Sequence, residues 1–116
     1  MIHRAADMKT EIRERMRDGA GKVTIQHLFD KDEITAKTRL CARLTLPPKA
    51  SIGMHTHEGE DELYVVISGS GWLDDGKTRS RVNAGDAILT GKGEPHSLIN
   101  DGPATLDVMA VIMLYA

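Results

Sequence analysis

Turn-forming residues punctuate this chain so regularly that little room is left for anything but short strands. From residue 38 onward the breaks are Pro47-Pro48, Glu58-Gly59-Glu60-Asp61, Ser68-Gly69-Ser70-Gly71, Asp74-Asp75-Gly76, Asn83-Ala84-Gly85-Asp86, Gly91-Lys92-Gly93-Glu94-Pro95 and Asp101-Gly102-Pro103. The stretches between them have strand character. Thr38 to Leu46 alternates, with Leu40, Ala42, Leu44 and Leu46 on one side and Arg39, Cys41, Arg43 and Thr45 on the other, as a pleated strand requires. Pro47-Pro48 ends it because proline has no amide to donate to a ladder. Glu62 opens the apolar run Leu63-Tyr64-Val65-Val66-Ile67. Further strands are predicted over residues 22–29, 72–73, 78–82, 87–90, 97–100 and 106–115. Strands separated by turn signals every 8–12 residues or so predict an all-β sandwich or barrel.

A chain of 116 residues is one domain. It divides into an N-terminal arm with a first strand, residues 1–37, and a β-barrel, residues 38–116. Residues 5–18 fit two conformations. Met8, Ile12 and Met16 share a helical face, but the segment is short, and an extended arm pairing with a neighbouring subunit is favoured. Arg13, Arg15 and Arg17 interleave with Glu11, Glu14 and Asp18, the pattern of a solvated charged face. A formal charge of −2 gives no reason to expect nucleic acid or an anionic membrane as partner. Cys41 is the only cysteine, so a disulfide and a cysteine zinc cluster are both excluded. The start M-I-H-R-A-A-D lacks a signal-peptide core, and a cytoplasmic location is expected.

His55 and His57 are two residues apart and share one face of a strand. Glu62 follows a short polar turn, Glu58 to Asp61, read as solvated, and can return a carboxylate to the same place. Two imidazoles and a carboxylate with open positions form a recurrent ligand set for zinc, iron and related metals. His3 and His27 are read as ordinary polar residues, and Met54, Met109 and Met113 as core packing.

The intervals on these residues resemble the two motifs of the cupin superfamily. His55, His57, Glu62 and Gly69 match the first, with Lys49 in place of its leading glycine; Gly85, Gly93, His96 and Asn100 match the second, with Gly91 in place of its proline. The resemblance covers roughly residues 38–114 and implies a double-sheet jelly roll, the double-stranded β-helix. It implies that His55, His57, Glu62 and His96 hold one divalent transition metal: Zn, Fe, Mn, Ni or Co. Tyr64, Val66, Leu98 and Asn100 share the inward parity of Glu62 or His96 and are expected to line the pocket. Asn100 would also have a structural role.

Two functions are expected from such a site. One is a metal-dependent enzyme of isomerase, decarboxylase or dioxygenase type acting on a sugar, hydroxy acid or keto acid. Tyr64 would be a candidate base, and Arg39 and Arg43 candidate anion clamps. The other is a small-molecule binding or sensing module without turnover. A purely structural metal site is the third and least favoured. A homodimer is expected because two strands are apolar on both faces: the Glu62 strand leaves Leu63, Val65 and Ile67 on the face away from the pocket, and the last strand has Leu106, Val108, Ala110, Ile112 and Leu114 on one side and Met109, Val111, Met113 and Tyr115 on the other.

Overall fold

The computed structural model describes residues 1–116. Its strands are β1 (Thr10–Glu14), β2 (Lys22–His27), β3 (Thr38–Leu46), β4 (Ser51–Thr56), β5 (Glu60–Ser68), β6 (Ser70–Asp74), β7 (Arg79–Asn83), β8 (Ala87–Thr90), β9 (Pro95–Ile99) and β10 (Leu106–Leu114). They form two antiparallel sheets, β1-β2-β3-β10-β5-β8 and β4-β9-β6-β7, the all-β architecture expected from the turn pattern and the double-stranded β-helix implied by the cupin resemblance. The core lies between them. Leu46, Leu44 and Ala42 on β3 stand opposite Leu106, Val108 and Ala110 on β10. Ile52 and Leu98 close on them from the smaller sheet, and all eight are buried. Each large aliphatic side chain so buried contributes about 1.5–3 kcal/mol.

No α-helix forms at residues 5–18; single 3-10 turns at Ala5–Asp7 and Met16–Asp18 flank β1. β1 pairs with β2, and β2 with β3, so the arm extends the edge of the larger sheet within its own chain. Ladder bonds from β2 outweigh a weak helical periodicity. Ile12 is 64% exposed, while Met16 packs against the core. After β1 the chain makes a tight turn with Arg15, Arg17 and Asp18 all at positive φ (51°, 54° and 62°). That turn is pressed on β4. A Cβ on Gly53 would lie 1.9 Å from the Arg17 carbonyl oxygen, and one on Gly19 2.2 Å from that of Ser51.

Two irregularities re-aim side chains. On β4, Ile52 faces Leu98 but His55 faces His96, so β4 carries one extra residue at Gly53-Met54. The bulge turns His55 inward and leaves Met54 46% exposed, against the expectation that Met54 packs in the core. Met113 is likewise exposed, on the outer face of β10. On β3, Leu40 faces Ile112 and Thr38 faces Met113, which makes Arg39 the extra residue.

The two departures from the motifs have local explanations. Lys49, at the position of the missing glycine, adopts φ 72° and keeps the left-handed turn. At Gly91, an added Cβ would meet Asp61 Oδ1 at 1.8 Å, and Tyr115 Oη lies close by. A proline ring does not fit there. His96 sits on strand β9, which Pro95 opens, rather than on the preceding loop. Pro tolerates that position because it is a strand's first residue.

Candidate metal centre

Both sheets contribute to one cluster. The smaller sheet supplies His55 on β4, His57 just beyond it and His96 on β9; the larger sheet supplies Glu62 on β5. His57, Glu62 and His96 are buried, and His55 is partly so. Each imidazole anchors its Nδ1 outward. His55 Nδ1 donates to the Gly53 carbonyl (2.7 Å), His57 Nδ1 donates to Glu60 Oε2 (2.6 Å), and His96 Nδ1 pairs with the Thr90 hydroxyl (2.9 Å). A carbonyl or carboxylate can only accept. The proton of His55 and of His57 is therefore on Nδ1 and the Nε2 lone pair is bare.

The three Nε2 atoms converge at 3.1, 3.0 and 3.1 Å from one another. Glu62 Oε1 lies 2.8 Å from His57 Nε2 and 3.1 Å from His96 Nε2. Yet Glu62 Oε1 is buried and has no hydrogen bond of proper geometry. Four electron-rich atoms in mutual contact, one of them orphaned, are a donor set that could hold a metal ion at their centre. The distances also describe its geometry. Donors about 2.1 Å from one ion are about 3.0 Å apart at a right angle and about 3.4 Å apart at the tetrahedral angle. Five of the six pairs show the right-angle spacing. The sixth, His55 with Glu62, is the widest, and all four atoms lie within 4.8 Å of one another. The residues present fit a six-coordinate ion with two positions to spare.

Residues 42–112 match the Cupin domain family. The chain is a cupin. The oxalate-binding protein of Thermotoga maritima is 40% identical to this cupin over 114 residues, 98% of this chain and 94% of that protein. A crystal structure from Thermotoga maritima, described as a predicted oxalate decarboxylase, superimposes with a TM-score of 0.94 at 40% identity, covering 98% of this chain and 99% of that one. The polyketide cyclase of Streptomyces resistomycificus matches with a TM-score of 0.76 at 26% identity, covering 100% of this chain and 81% of that one.

Three residues of the cupin's cluster, His55, His57 and Glu62, line a cavity of about 380 Å³, with His96 buried behind them. Of the residues expected to line it, Tyr64 reaches the wall; Val66 and Leu98 pack in the hydrophobic core instead. Asn100 ties down turns, donating from Nδ2 to the carbonyls of Leu46 and Ala104. Tyr64 is stacked on His96, 5.1 Å between centroids. Burial and the neighbouring Glu62 charge push its phenol well above the ordinary range. The two arginines part company. The β3 bulge brings Arg39 into the cavity wall, whereas Arg43 pairs with Asp107 on the outer face, 3.2 Å away.

Sequence reasoning missed Glu60, which was read as part of a solvated turn. It is the first residue of β5 and only 8% exposed. Arg39 grips it with two bonds of 2.7 Å, and its Oε2 also accepts from His57. The guanidinium holds the Glu60 carboxyl at about 2. A carboxylate that orients a ligating imidazole through its far nitrogen is a recurrent feature of metal sites. The available signal was parity: Glu60 and Glu62 are two residues apart and share a strand face. Asp61, on the other face, accepts from the Tyr115 hydroxyl at the surface, and Glu58 stays exposed, so Glu60 is the residue of the acidic run that leaves the solvated turn.

Proposed function

We propose that this cupin holds one divalent transition metal on His55, His57, Glu62 and His96 and uses it to bind a small oxygenated carboxylate, oxalate or a close analogue. The observation that carries this reading is the right-angle spacing of bare imidazole nitrogens and an orphaned carboxylate oxygen on the floor of an open cavity. Six-coordinate spacing suits Mn, Fe, Co or Ni better than the four-coordinate preference of Zn. The ligand class follows the name of the Thermotoga maritima relative, with which nearly the whole chain aligns. The metal would supply positive charge to chelating oxygens. His57 and Glu60 would keep the donor set in register, and Tyr64 would offer a buried O–H.

Binding without turnover is the favoured form of this function. The interior acid–base groups are already engaged: Glu62 faces the imidazoles, Glu60 is locked by Arg39, and Tyr64 is held protonated. The likeness to a polyketide cyclase supports a second reading, in which the same scaffold performs catalysis. A closed structural metal site is disfavoured by the cavity above the cluster. Calorimetric titration of oxalate into manganese-loaded and metal-free protein tests the proposal, with carbon dioxide and formate measured in parallel. One-to-one binding by the loaded form alone, without products, is expected. Product release would establish turnover, and no binding by the loaded form would overturn the proposal.

The functional unit we infer is a homodimer, and the lone half-buried Cys41 suits a reducing cytoplasm. On the outer face of the larger sheet, Leu63 stands opposite Val111 and Leu89, and Val65 opposite Met109. The arm does not cover this surface, because β1 lies beyond β2 at the sheet's far edge. Leu89 remains 65% exposed and Ile67 45% exposed. A second copy would bury this apolar band.

A further inference from the structure

Arg17 has a position that the metal site alone does not explain. It lines the cavity beside His55, His57, Glu62 and Tyr64. The other two arginines of the wall are engaged, Arg13 with Glu11 and Arg39 with Glu60. Arg17 makes no ion pair and no side-chain hydrogen bond.

The backbone that delivers Arg17 is under constraint. Three non-glycine residues of its turn have left-handed φ values, a conformation disfavoured by a Cβ and kept only where the surroundings impose it. The surroundings here are β4 itself. Gly53 and Gly19 allow backbone contact that any side chain would block, and Ser51 bonds Ala20 through both its amide (2.8 Å) and its hydroxyl (2.9 Å). Gly53 is also the residue of the bulge that aims His55 and whose carbonyl orients it. One contact thus fixes Arg17 relative to a metal-ligand candidate.

Charge then indicates what the pair would hold. A divalent ion with one carboxylate ligand and three neutral imidazoles carries a net single positive charge. The Arg39–Glu60 pair adds none. Unpaired Arg17 adds one more. The remaining charges of the wall cancel, Lys9, Arg13 and Lys31 against Glu11, Asp30 and Asp32. The site is therefore matched to a dianion, and a neutral sugar or a monocarboxylate would leave charge uncompensated.

We propose that Arg17 is the second anchor of the ligand site and selects small dicarboxylates, its guanidinium binding the carboxylate oxygens that the metal does not take. This rests on the metal-dependent carboxylate binding proposed above. The test is calorimetric titration of the manganese-loaded protein with oxalate and with glycolate, which also offers two oxygens for chelation but only one carboxylate. Wild-type protein should prefer oxalate. Arg17→Gln should weaken oxalate by about tenfold or more, the effect of losing a hydrogen bond to a charged group. It should leave manganese content within about twofold and weaken glycolate clearly less than oxalate, because chelated glycolate leaves one carboxylate oxygen for Arg17 and oxalate leaves two, and Arg17→Lys should recover part of the loss. Arg17→Gly, free of the left-handed penalty, should match or exceed the wild-type melting temperature while losing oxalate affinity to the same degree. Unchanged oxalate affinity in Arg17→Gln at full manganese content, or equal losses for oxalate and glycolate, would overturn the Arg17 assignment alone. Failure of loaded wild-type protein to bind either ligand would overturn the carboxylate reading together with it.

Discussion

At the scale of single residues, the site is governed by what each imidazole does with its outer nitrogen. Glu60 fixes the proton of His57 on Nδ1, and Arg39 keeps Glu60 ionised. Glu60→Gln should therefore lower metal affinity about 10- to 100-fold without preventing folding, as measured by competition with a metal indicator dye. Glu62→Gln, which removes a candidate ligand's charge, should cost at least as much. Metal content should also fall in acid. In the metal-free protein His57 is raised: burial opposes its charge, but the Glu62 and Glu60 carboxylates outweigh burial, and a proton competes for the metal's place. His55 runs the other way, pushed from 6.5 down to about 4, mainly by burial. Its contribution to stability is complete above 6.5 and is lost as pH falls through 4. Dialysis at about pH 7.5, 5.5 and 4 followed by elemental analysis should show progressive loss. Metal content constant to the lowest pH would contradict the ligand set.

Among the elements, the turns and the bulges determine where side chains point. Lys49 occupies a left-handed turn where glycine carries no Cβ penalty. Lys49→Gly should raise stability by about 1 kcal/mol in chemical denaturation; a clear loss would show that the lysine side chain has a role. Gly53→Ala should do the reverse, because its Cβ would overlap the Arg17 carbonyl oxygen. A loss of about 1–3 kcal/mol is expected, with weaker metal binding as His55 shifts. The strands themselves were legible because alternation and turn residues are local signals. The spacing of His55, His57, Glu62 and His96 was legible because those intervals are fixed by strand and turn lengths. Bulges were not. An inserted residue changes which face Met54 and Arg39 occupy, and it depends on the partner strand's register. For residues 5–18 the favoured extended conformation is found at β1, but the partner is β2 of the same chain and not a neighbouring subunit, which a local pattern cannot register.

For the whole molecule, two surfaces remain to be accounted for: an apolar outer sheet face and an open cavity lined by charges of both signs. No helix of the chain is long and apolar enough to cross a membrane, so helical insertion does not explain the apolar face. Sedimentation at micromolar concentration should give the mass of two chains. Val65→Lys on that face should give the mass of one, with the circular dichroism spectrum retained; a single-chain mass for the wild type would refute the homodimer. The most direct test of the account is anomalous diffraction from crystals of the manganese-loaded protein. One peak should lie about 2.0–2.3 Å from Nε2 of His55, His57 and His96 and from a carboxylate oxygen of Glu62. A peak elsewhere, or coordination that omits any of those four side chains, would contradict it.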